Sequence, residues 1–208
     1  MKFLFASTNS GKFEEARSFA GALRVILIAP SELSAHSPIP TIQESGTTYR
    51  ENARLKAQGF YRWSGLPVIA DDSGLEVSAL HGAPGLFSAR YAGEGASATQ
   101  NNQKLLQALE GIEDRSARMV CDLIAYISPE TEFHAHGVLA GEILTAPIGT
   151  GGFGYDALFK VEGTGDSLAQ LKAQGSALET HRLMALRLLF GQIDLTSSRP
   201  SSVSYTHL

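Results

Sequence analysis

The sequence is poor in cysteine and in charge. Cys121 is the single cysteine among 208 residues, so no intramolecular disulfide can form and a disulfide-stabilised secreted scaffold is excluded. Charged residues make up 18% of the chain and the net charge is -4. The protein therefore lacks the cationic field with which nucleic-acid-binding proteins attract phosphates. We expect a compact cytoplasmic protein that binds no nucleic acid.

Long apolar runs are also missing. No uncharged apolar stretch approaches the roughly 18 residues of a membrane-spanning helix. Lys2 is followed by only four apolar residues, 3–6, fewer than the roughly 7 to 15 of a secretory signal core, so we expect no membrane partner. The length of 208 residues favours one domain, which we place at 1–195. The Ser- and Thr-rich segment 196–208 is expected to be disordered or foreign to the fold.

The chain alternates short apolar runs with segments of helical composition, which predicts an α/β fold. Thr48 and Glu51 have the spacing of a capping box, so we expect a helix from there to about residue 63. Ser176 and Glu179 repeat that spacing before the last helix. Apolar residues between 117 and 144 predict a long antiparallel hairpin. The other predicted elements are strands at 3–6, 25–29, 67–70 and 75–77 and helices at 12–20 and 101–109.

The polar segment between the first strand and the first helix is the first candidate site. Such a turn offers free backbone N–H groups, a helix N-terminus and the ammonium of Lys12, which together favour a phosphate chain. It resembles a P-loop at Gly11 and Lys12, but Phe13 stands where that motif has its metal-binding hydroxyl. An ordinary polar turn with a surface lysine is the alternative. The segment consists of Ser7, Thr8, Asn9, Ser10, Gly11 and Lys12.

Two adjacent carboxylates, Asp71 and Asp72, stand at the end of a predicted apolar strand and precede Ser73. Neighbouring strand residues point to opposite faces, so the two carboxylates should have different tasks. A carboxylate in an oxygen-lined cleft can hold Mg²⁺ together with substrate phosphates. It can also accept a proton from an attacking water. An Asp turn without a functional role is the alternative.

Three further features are weaker when taken singly. Glu44 could supply a second carboxylate to the metal and Lys56 could reach the phosphates, although each is more often a solvated surface charge. The glycine-rich loop around Phe153 can close around a planar group that stacks against this ring. His181 and Arg182 form a donor pair suited to an oxygen-bearing base or a phosphate.

Together these segments resemble the inosine triphosphate pyrophosphatase family, the Ham1-like hydrolases of deaminated purine nucleoside triphosphates. The matching motifs occur in order over nearly the whole chain before 196–208. They are 7–12, 44–57 with Glu51, Asn52 and Lys56, 70–75, 83–91 with Arg90, 151–156, and His181 with Arg182. The resemblance implies an elongated α/β fold in which helices flank a mixed central sheet, an active-site cleft between two lobes, and a homodimer. It also implies Mg²⁺-dependent cleavage of ITP, dITP or XTP to the monophosphate and pyrophosphate.

The implied chemistry gives the charged candidates their roles. Water must attack the α-phosphorus while charge builds on the departing pyrophosphate, so the site needs a metal, cations and a base. We assign Asp72 as the general base and as a metal carboxylate, with Glu44 as its partner at Mg²⁺. Asp71 is the less favoured base. Lys12 and Lys56 are the expected phosphate clamps.

The base of the nucleotide is expected to be recognised at its six-position. Hypoxanthine and xanthine carry an oxygen there, which His181 or Arg182 can bond, whereas the amino group of adenine leaves such donors unpaired. Phe153 would stack against the base and Asp156 would accept a hydrogen bond from the ring. The remaining expected substrate contacts are Ser7, Thr8, Asn9, Ser10, Gly11, Ser73, Gly154, Tyr155, Lys172 and Ser176.

Two positions depart from the family pattern. The family usually places a lysine five residues before the His-Arg pair, where this chain has Ser176, and Thr180 replaces the usual serine. Ser176 is suited to capping the last helix, while Lys172 could take over the missing contact. Two other functions are open to the same residues. One is a purine-nucleotide sensor without hydrolysis, and the other is a Maf-like pyrophosphatase for modified pyrimidine triphosphates.

Overall fold

The computed structural model describes residues 1–33 and 38–193, so the expected tail at 196–208 lies outside the described residues. No helix in this part of the chain is long and apolar enough to cross a membrane. The strands are β1 (Lys2–Phe5), β2 (Ile26–Ile28), β3 (Val68–Val77), β4 (Ser116–Ser128), β5 (Thr131–Ile143) and β6 (Phe159–Val161). The helices are α1 (Ser10–Ala22), α2 (Tyr49–Ser64), α3 (Ala98–Ala108), α4 (Leu168–Ala173) and α5 (His181–Gln192).

All six strands form one mixed sheet in the order β2-β1-β3-β4-β5-β6. β1 pairs in parallel with β2 and β3, and the remaining pairs are antiparallel. The long hairpin predicted from the sequence is confirmed, since β4 and β5 pair from Ser116 opposite Glu142 to Ser128 opposite Thr131. Strand β6 and helix α4 were not predicted.

Two apolar cores lie side by side on one face of the sheet. The first packs α1 and α5 on the strands and includes Phe3 and Leu186. The second lies beneath α3 and α4 and includes Leu105 and Phe159. The cleft between them passes over Ser73 on β3, while α2 covers the opposite face of the sheet. The mixed sheet, its flanking helices and the cleft between two lobes are thus confirmed.

The first residues of α1 and α2 follow from side-chain caps. Thr48 Oγ1 accepts from the Glu51 N–H (3.1 Å) and Glu51 Oε2 accepts from the Thr48 N–H (3.2 Å), so the predicted capping box of α2 is confirmed. Asn9 Oδ1 accepts from the Lys12 N–H (3.0 Å). Helix α1 therefore begins at Ser10, two residues before the prediction.

The predicted cap of the last helix is wrong. Helix α5 begins at His181 with Thr180 as its N-cap, whose Oγ1 accepts from the Leu183 N–H (3.3 Å). Ser176 lies in the connection after α4, where its N–H donates to the carbonyl of Leu171 (3.0 Å). The capping-box spacing of Ser176 and Glu179 gave a wrong prediction because the chain does not become helical until His181, five residues after Ser176.

The prediction that Asp71 and Asp72 end a strand is also wrong. Strand β3 runs without a break from Val68 to Val77, because the long β4 gives each of these residues a partner. Gly74 lets the chain pass beneath its neighbours there, since a Cβ at this position would lie 2.5 Å from the carbonyl oxygen of Gly85. The two carboxylates therefore stand in the middle of the sheet rather than in a turn.

The packing of α5 against β5 can be tested at Gly137. A Cβ on Gly137 would overlap the carbonyl of His181 and lie 2.8 Å from the nitrogen of Ala185. Overpacking of this kind costs about 1 to 3 kcal/mol, so Gly137→Ala should lower the melting temperature by several degrees. Gly191→Ala is the matched control, because nothing lies within 4 Å of a Cβ there. Equal melting temperatures for the two variants would contradict this packing.

Candidate functional site

Predicted site residues from distant segments line two adjoining cavities in the cleft. The first cavity has a volume of about 350 Å³. It is lined by the predicted residues Asn9, Lys12, Ser73, Phe153, Gly154, Tyr155, Asp156, Lys172, His181 and Arg182. The second, of about 930 Å³, is lined by the predicted residues Thr8, Asn9, Ser10, Gly11, Phe153, Lys172 and Ser176. Ser7 braces the turn from outside both, since its Oγ accepts from the Asn9 N–H (3.2 Å).

Asp71 is buried and is paired with two cations, Lys12 and Arg182, that line the first cavity. Its Oδ2 lies 2.9 Å from Lys12 Nζ and 3.4 Å from Arg182 Nε, and Ser73 Oγ donates to the same oxygen (3.3 Å). Burial alone would raise the pKa of Asp71, but the cations, Lys12 first among them, outweigh it and hold this pKa well below the usual value. Asp71 therefore stays ionised and is a poor proton acceptor.

Asp72 lies on the opposite face of β3, as the alternation along the strand predicts. Its carboxylate receives a hydrogen bond from Asn52 Nδ2 (3.2 Å) and lies 3.6 Å from Lys56 Nζ. Burial raises the pKa of Asp72, and the nearby charges of Glu44 and Asp71 add to this effect, so that Lys56 and Lys12 do not cancel it. The two adjacent carboxylates thus differ in proton affinity, and Asp72 is the better base.

Lys56 lies between the two carboxylates that the sequence assigns to a metal. Its Nζ is 3.2 Å from Glu44 Oε2 and 3.6 Å from Asp72 Oδ1. Burial would lower the pKa of Lys56, but the carboxylates, Asp72 first, outweigh it and raise this pKa. The lysine expected to clamp phosphates is therefore a charged partner of the acidic pair in this structure.

Asn52 links the two halves of this acidic group and had no predicted role. Its Nδ2 donates to Asp72, and its Oδ1 accepts from the N–H of Gly46 (2.8 Å). The residue is 4% exposed. Because Gly46 belongs to the loop that carries Glu44, the amide holds that loop against β3. A polar residue on the apolar face of α2 was the signal in the sequence.

Glu15 lines the second cavity and is a second residue that had no predicted role. It accepts a hydrogen bond from Thr180 Oγ1 (2.7 Å), pairs with Arg182 Nη1 and lies 3.7 Å from Lys172 Nζ. Its position three residues after Lys12 places both side chains on one face of α1. That spacing, beside a predicted anion site, was the available signal.

Arg182 is a buried residue that links neighbouring elements of the fold. It is 1% exposed, and its guanidinium contacts Asp71, Glu15 and Ser73 Oγ (3.1 Å for the last). These contacts engage three of its five N–H groups. Arg182 therefore ties α5 to α1 and β3, which a His-Arg pair in the sequence does not indicate.

His181, the other predicted donor, keeps one ring nitrogen without a partner among the described residues, unlike the bonded guanidinium of Arg182. The ring is buried against the first cavity, and in the described part of the chain its Nδ1 has no hydrogen-bond partner. Burial, with Arg182 and Lys172 nearby, holds the pKa of His181 well below its usual value. The imidazole is therefore neutral.

The glycine-rich loop is held in shape by its own polar residues. Asp156 Oδ2 accepts from the Phe153 N–H (2.9 Å) and from Lys172 Nζ (3.0 Å). The Tyr155 hydroxyl, expected at the substrate, instead donates to the carbonyl of Ser88 (2.9 Å). Gly154 accepts at its carbonyl from the amide of Asn102. The loop is thus a preformed wall of the cavity.

Replacing Arg182 tests whether it stabilises the fold. Arg182→Gln leaves two buried carboxylates short of a cation, and breaking such a buried pair typically costs about 3 to 5 kcal/mol. Arg187→Gln on the same helix is the control, because Arg187 is 59% exposed where it pairs with Glu179 and such pairs contribute about 0 to 1 kcal/mol. Urea unfolding measures the free energy of unfolding of both variants. Equal losses of this free energy would contradict the stabilising role of Arg182.

Comparison with known proteins gives one consistent result. A sequence model of the Ham1 family matches residues 3–192. A dITP/XTP pyrophosphatase of Syntrophobacter fumaroxidans is 43% identical over 191 residues, covering 92% of this chain and 81% of the relative. One of Shigella flexneri is 42% identical over 192 residues, covering 90% and 95%. The solved structure of a HAM1 protein from Coxiella burnetii has a TM-score of 0.81 at 38% identity and covers 92% of this chain and 98% of its own. The chain belongs to the Ham1 family.

Proposed function

We propose that this protein hydrolyses deaminated purine nucleoside triphosphates (ITP, dITP and XTP) to the nucleoside monophosphate and pyrophosphate. The observation that carries the proposal is the different surroundings of two neighbouring carboxylates on β3. Asp71 is paired with Lys12 and Arg182, whereas Asp72 shares Lys56 with Glu44. The substrate class is supported by the relatives, which are named dITP/XTP pyrophosphatases. These features also favour an enzyme over a nucleotide sensor.

The phosphates bind, in this proposal, at the start of α1. This helix has no acidic residue in its first turn, so its free N–H groups and the Lys12 ammonium favour an anion. Asp72 takes a proton from the water that attacks the α-phosphorus. The bond between that phosphorus and the oxygen of the departing pyrophosphate then breaks, and Lys12 and Lys56 stabilise the charge that leaves.

The acidic pair also fits a divalent metal, which we propose to be Mg²⁺. Glu44 and Asp72 supply hard oxygen ligands and already share one cation, the Lys56 ammonium. Within 1–33 and 38–193, no group of three or more His, Cys, Asp or Glu side chains is arranged to hold a metal. A site with two carboxylates suits Mg²⁺, which keeps waters and takes phosphate oxygens. When bound, Mg²⁺ would neutralise phosphate charge and acidify the attacking water.

The base, in this proposal, enters the cavity that His181 lines, where the neutral imidazole can form a hydrogen bond with it. Phe153 offers its ring to the base and Asp156 its carboxylate. The other proposed substrate contacts are Ser7, Thr8, Asn9, Ser10, Gly11, Ser73, Gly154, Tyr155, Lys172, Ser176 and Arg182. We also propose that the protein is a cytoplasmic homodimer that binds no nucleic acid. The single buried cysteine supports the cytoplasmic location, and the net charge of -4 supports the absence of nucleic-acid binding.

A substrate panel with product identification tests the reaction. With Mg²⁺, ITP and XTP should give the monophosphate and pyrophosphate, and ATP should react far more slowly. Addition of a chelator should abolish turnover. Tight ITP binding without pyrophosphate would favour the sensor, and equal rates on methylated pyrimidine triphosphates would favour the Maf-like alternative.

Replacing Asp72 tests the base. Asp72→Asn keeps the shape of the side chain but cannot accept the proton, so turnover of ITP should fall by about 100-fold or more. The matched control is Asp114→Asn, a surface carboxylate bonded to Ser116, which should keep full turnover. Near-normal turnover in Asp72→Asn would assign the base elsewhere.

A further inference from the structure

Lys172 occupies the space in front of the ring that is expected to stack the base. Its Nζ lies 4.9 Å from the ring centroid of Phe153, over the ring, and 3.0 Å from Asp156 Oδ2. Its stem crosses Gly152, where a Cβ would lie 3.0 Å from Lys172 Cδ. Lys172 and Phe153 both belong to the lining of both cavities. The ammonium therefore stands at the boundary between them.

Two further contacts restrict where a base can stack on the ring of Phe153. It packs against Gly11 so closely that a Cβ there would lie 2.8 Å from its Cε1, and Arg182 Cζ lies 5.8 Å from its centroid. Stacked aromatic rings have centroids about 4.5 to 7 Å apart. A purine stacked on Phe153 would therefore compete for the space in which the Lys172 ammonium now lies.

We propose that Lys172 is a displaceable gate that selects purines with an oxygen at the six-position, an inference that rests on the proposed function. An arriving base pushes the ammonium off Phe153. A 6-oxo base offers the ammonium a new acceptor that replaces the lost contact with the Phe153 ring, whereas the amino group of adenine offers none. Discrimination then comes from a repulsive element as much as from an attractive one.

The side chain has the freedom that this movement needs. An ammonium has three N–H donors, of which Asp156 takes one, and Glu15 Oε1 lies 3.7 Å away as a second anchor. The four-carbon stem is flexible. Lys172 can thus leave the ring without losing its carboxylate partners. Guanine carries the same oxygen as hypoxanthine, so this gate does not separate GTP from ITP.

Lys172→Met tests the gate because it keeps the stem and removes the charge. We expect kcat/KM for ITP and for GTP to fall by the same factor, about 10- to 100-fold, which is the loss of one charged hydrogen bond. For ATP it should stay unchanged or rise. Lys104→Met is the control, since Lys104 Nζ lies 4.7 Å over the ring of Tyr91, outside the site, and should leave the ITP to ATP ratio unchanged. A common fall for all three nucleotides in Lys172→Met would overturn the gate.

A binding measurement separates this inference from the proposed function. Calorimetry with IMP and AMP needs no hydrolysis. The wild-type protein should prefer IMP, and Lys172→Met should lose at least tenfold of that preference. If wild-type protein released no pyrophosphate from ITP yet showed this loss, the proposed function would fail and the gate would stand. An unchanged preference for IMP in the variant would overturn the gate whatever the hydrolysis assay gives.

Discussion

The ion cluster around Asp71 is the interaction on which the site depends. A carboxylate that is 1% exposed in the middle of a sheet would be neutral or would destabilise the fold without partners. Lys12 from α1 and Arg182 from α5 keep it ionised. The same contacts fix both helices against β3 and so bring the turn before α1 and the start of α5 to one cleft. Fold and site thus share one electrostatic constraint.

The division between Asp71 and Asp72 follows from this cluster. Because β3 alternates its side chains between the faces, the cations that hold Asp71 act on Asp72 only at longer range. Asp72 meets Lys56 and Asn52 from α2 instead, and burial raises its pKa. The surrounding residues alone therefore explain why these two adjacent aspartates differ as proton acceptors.

Local sequence signals predicted much of the fold and of the site, and tertiary contacts decided the rest. Two predictions depend on near neighbours in the chain, and both are confirmed. They are the capping box of Thr48 and Glu51 and the hairpin at 117–144. The continuity of β3 depends on pairing with β4, about 50 residues away, so the polar stretch at Asp71 resembled a turn. Glu15 and Asn52 were missed because their partners lie on other elements.

The most direct measurement is a crystal structure with Mg²⁺ and a non-hydrolysable ITP analogue. We expect the α-phosphate and the metal beside Asp72 and Glu44, with Lys12 on the phosphate chain and Asp71 still bonded to Arg182. An α-phosphate bound at Asp71 instead, or one remote from both Asp72 and Glu44, would contradict this expectation.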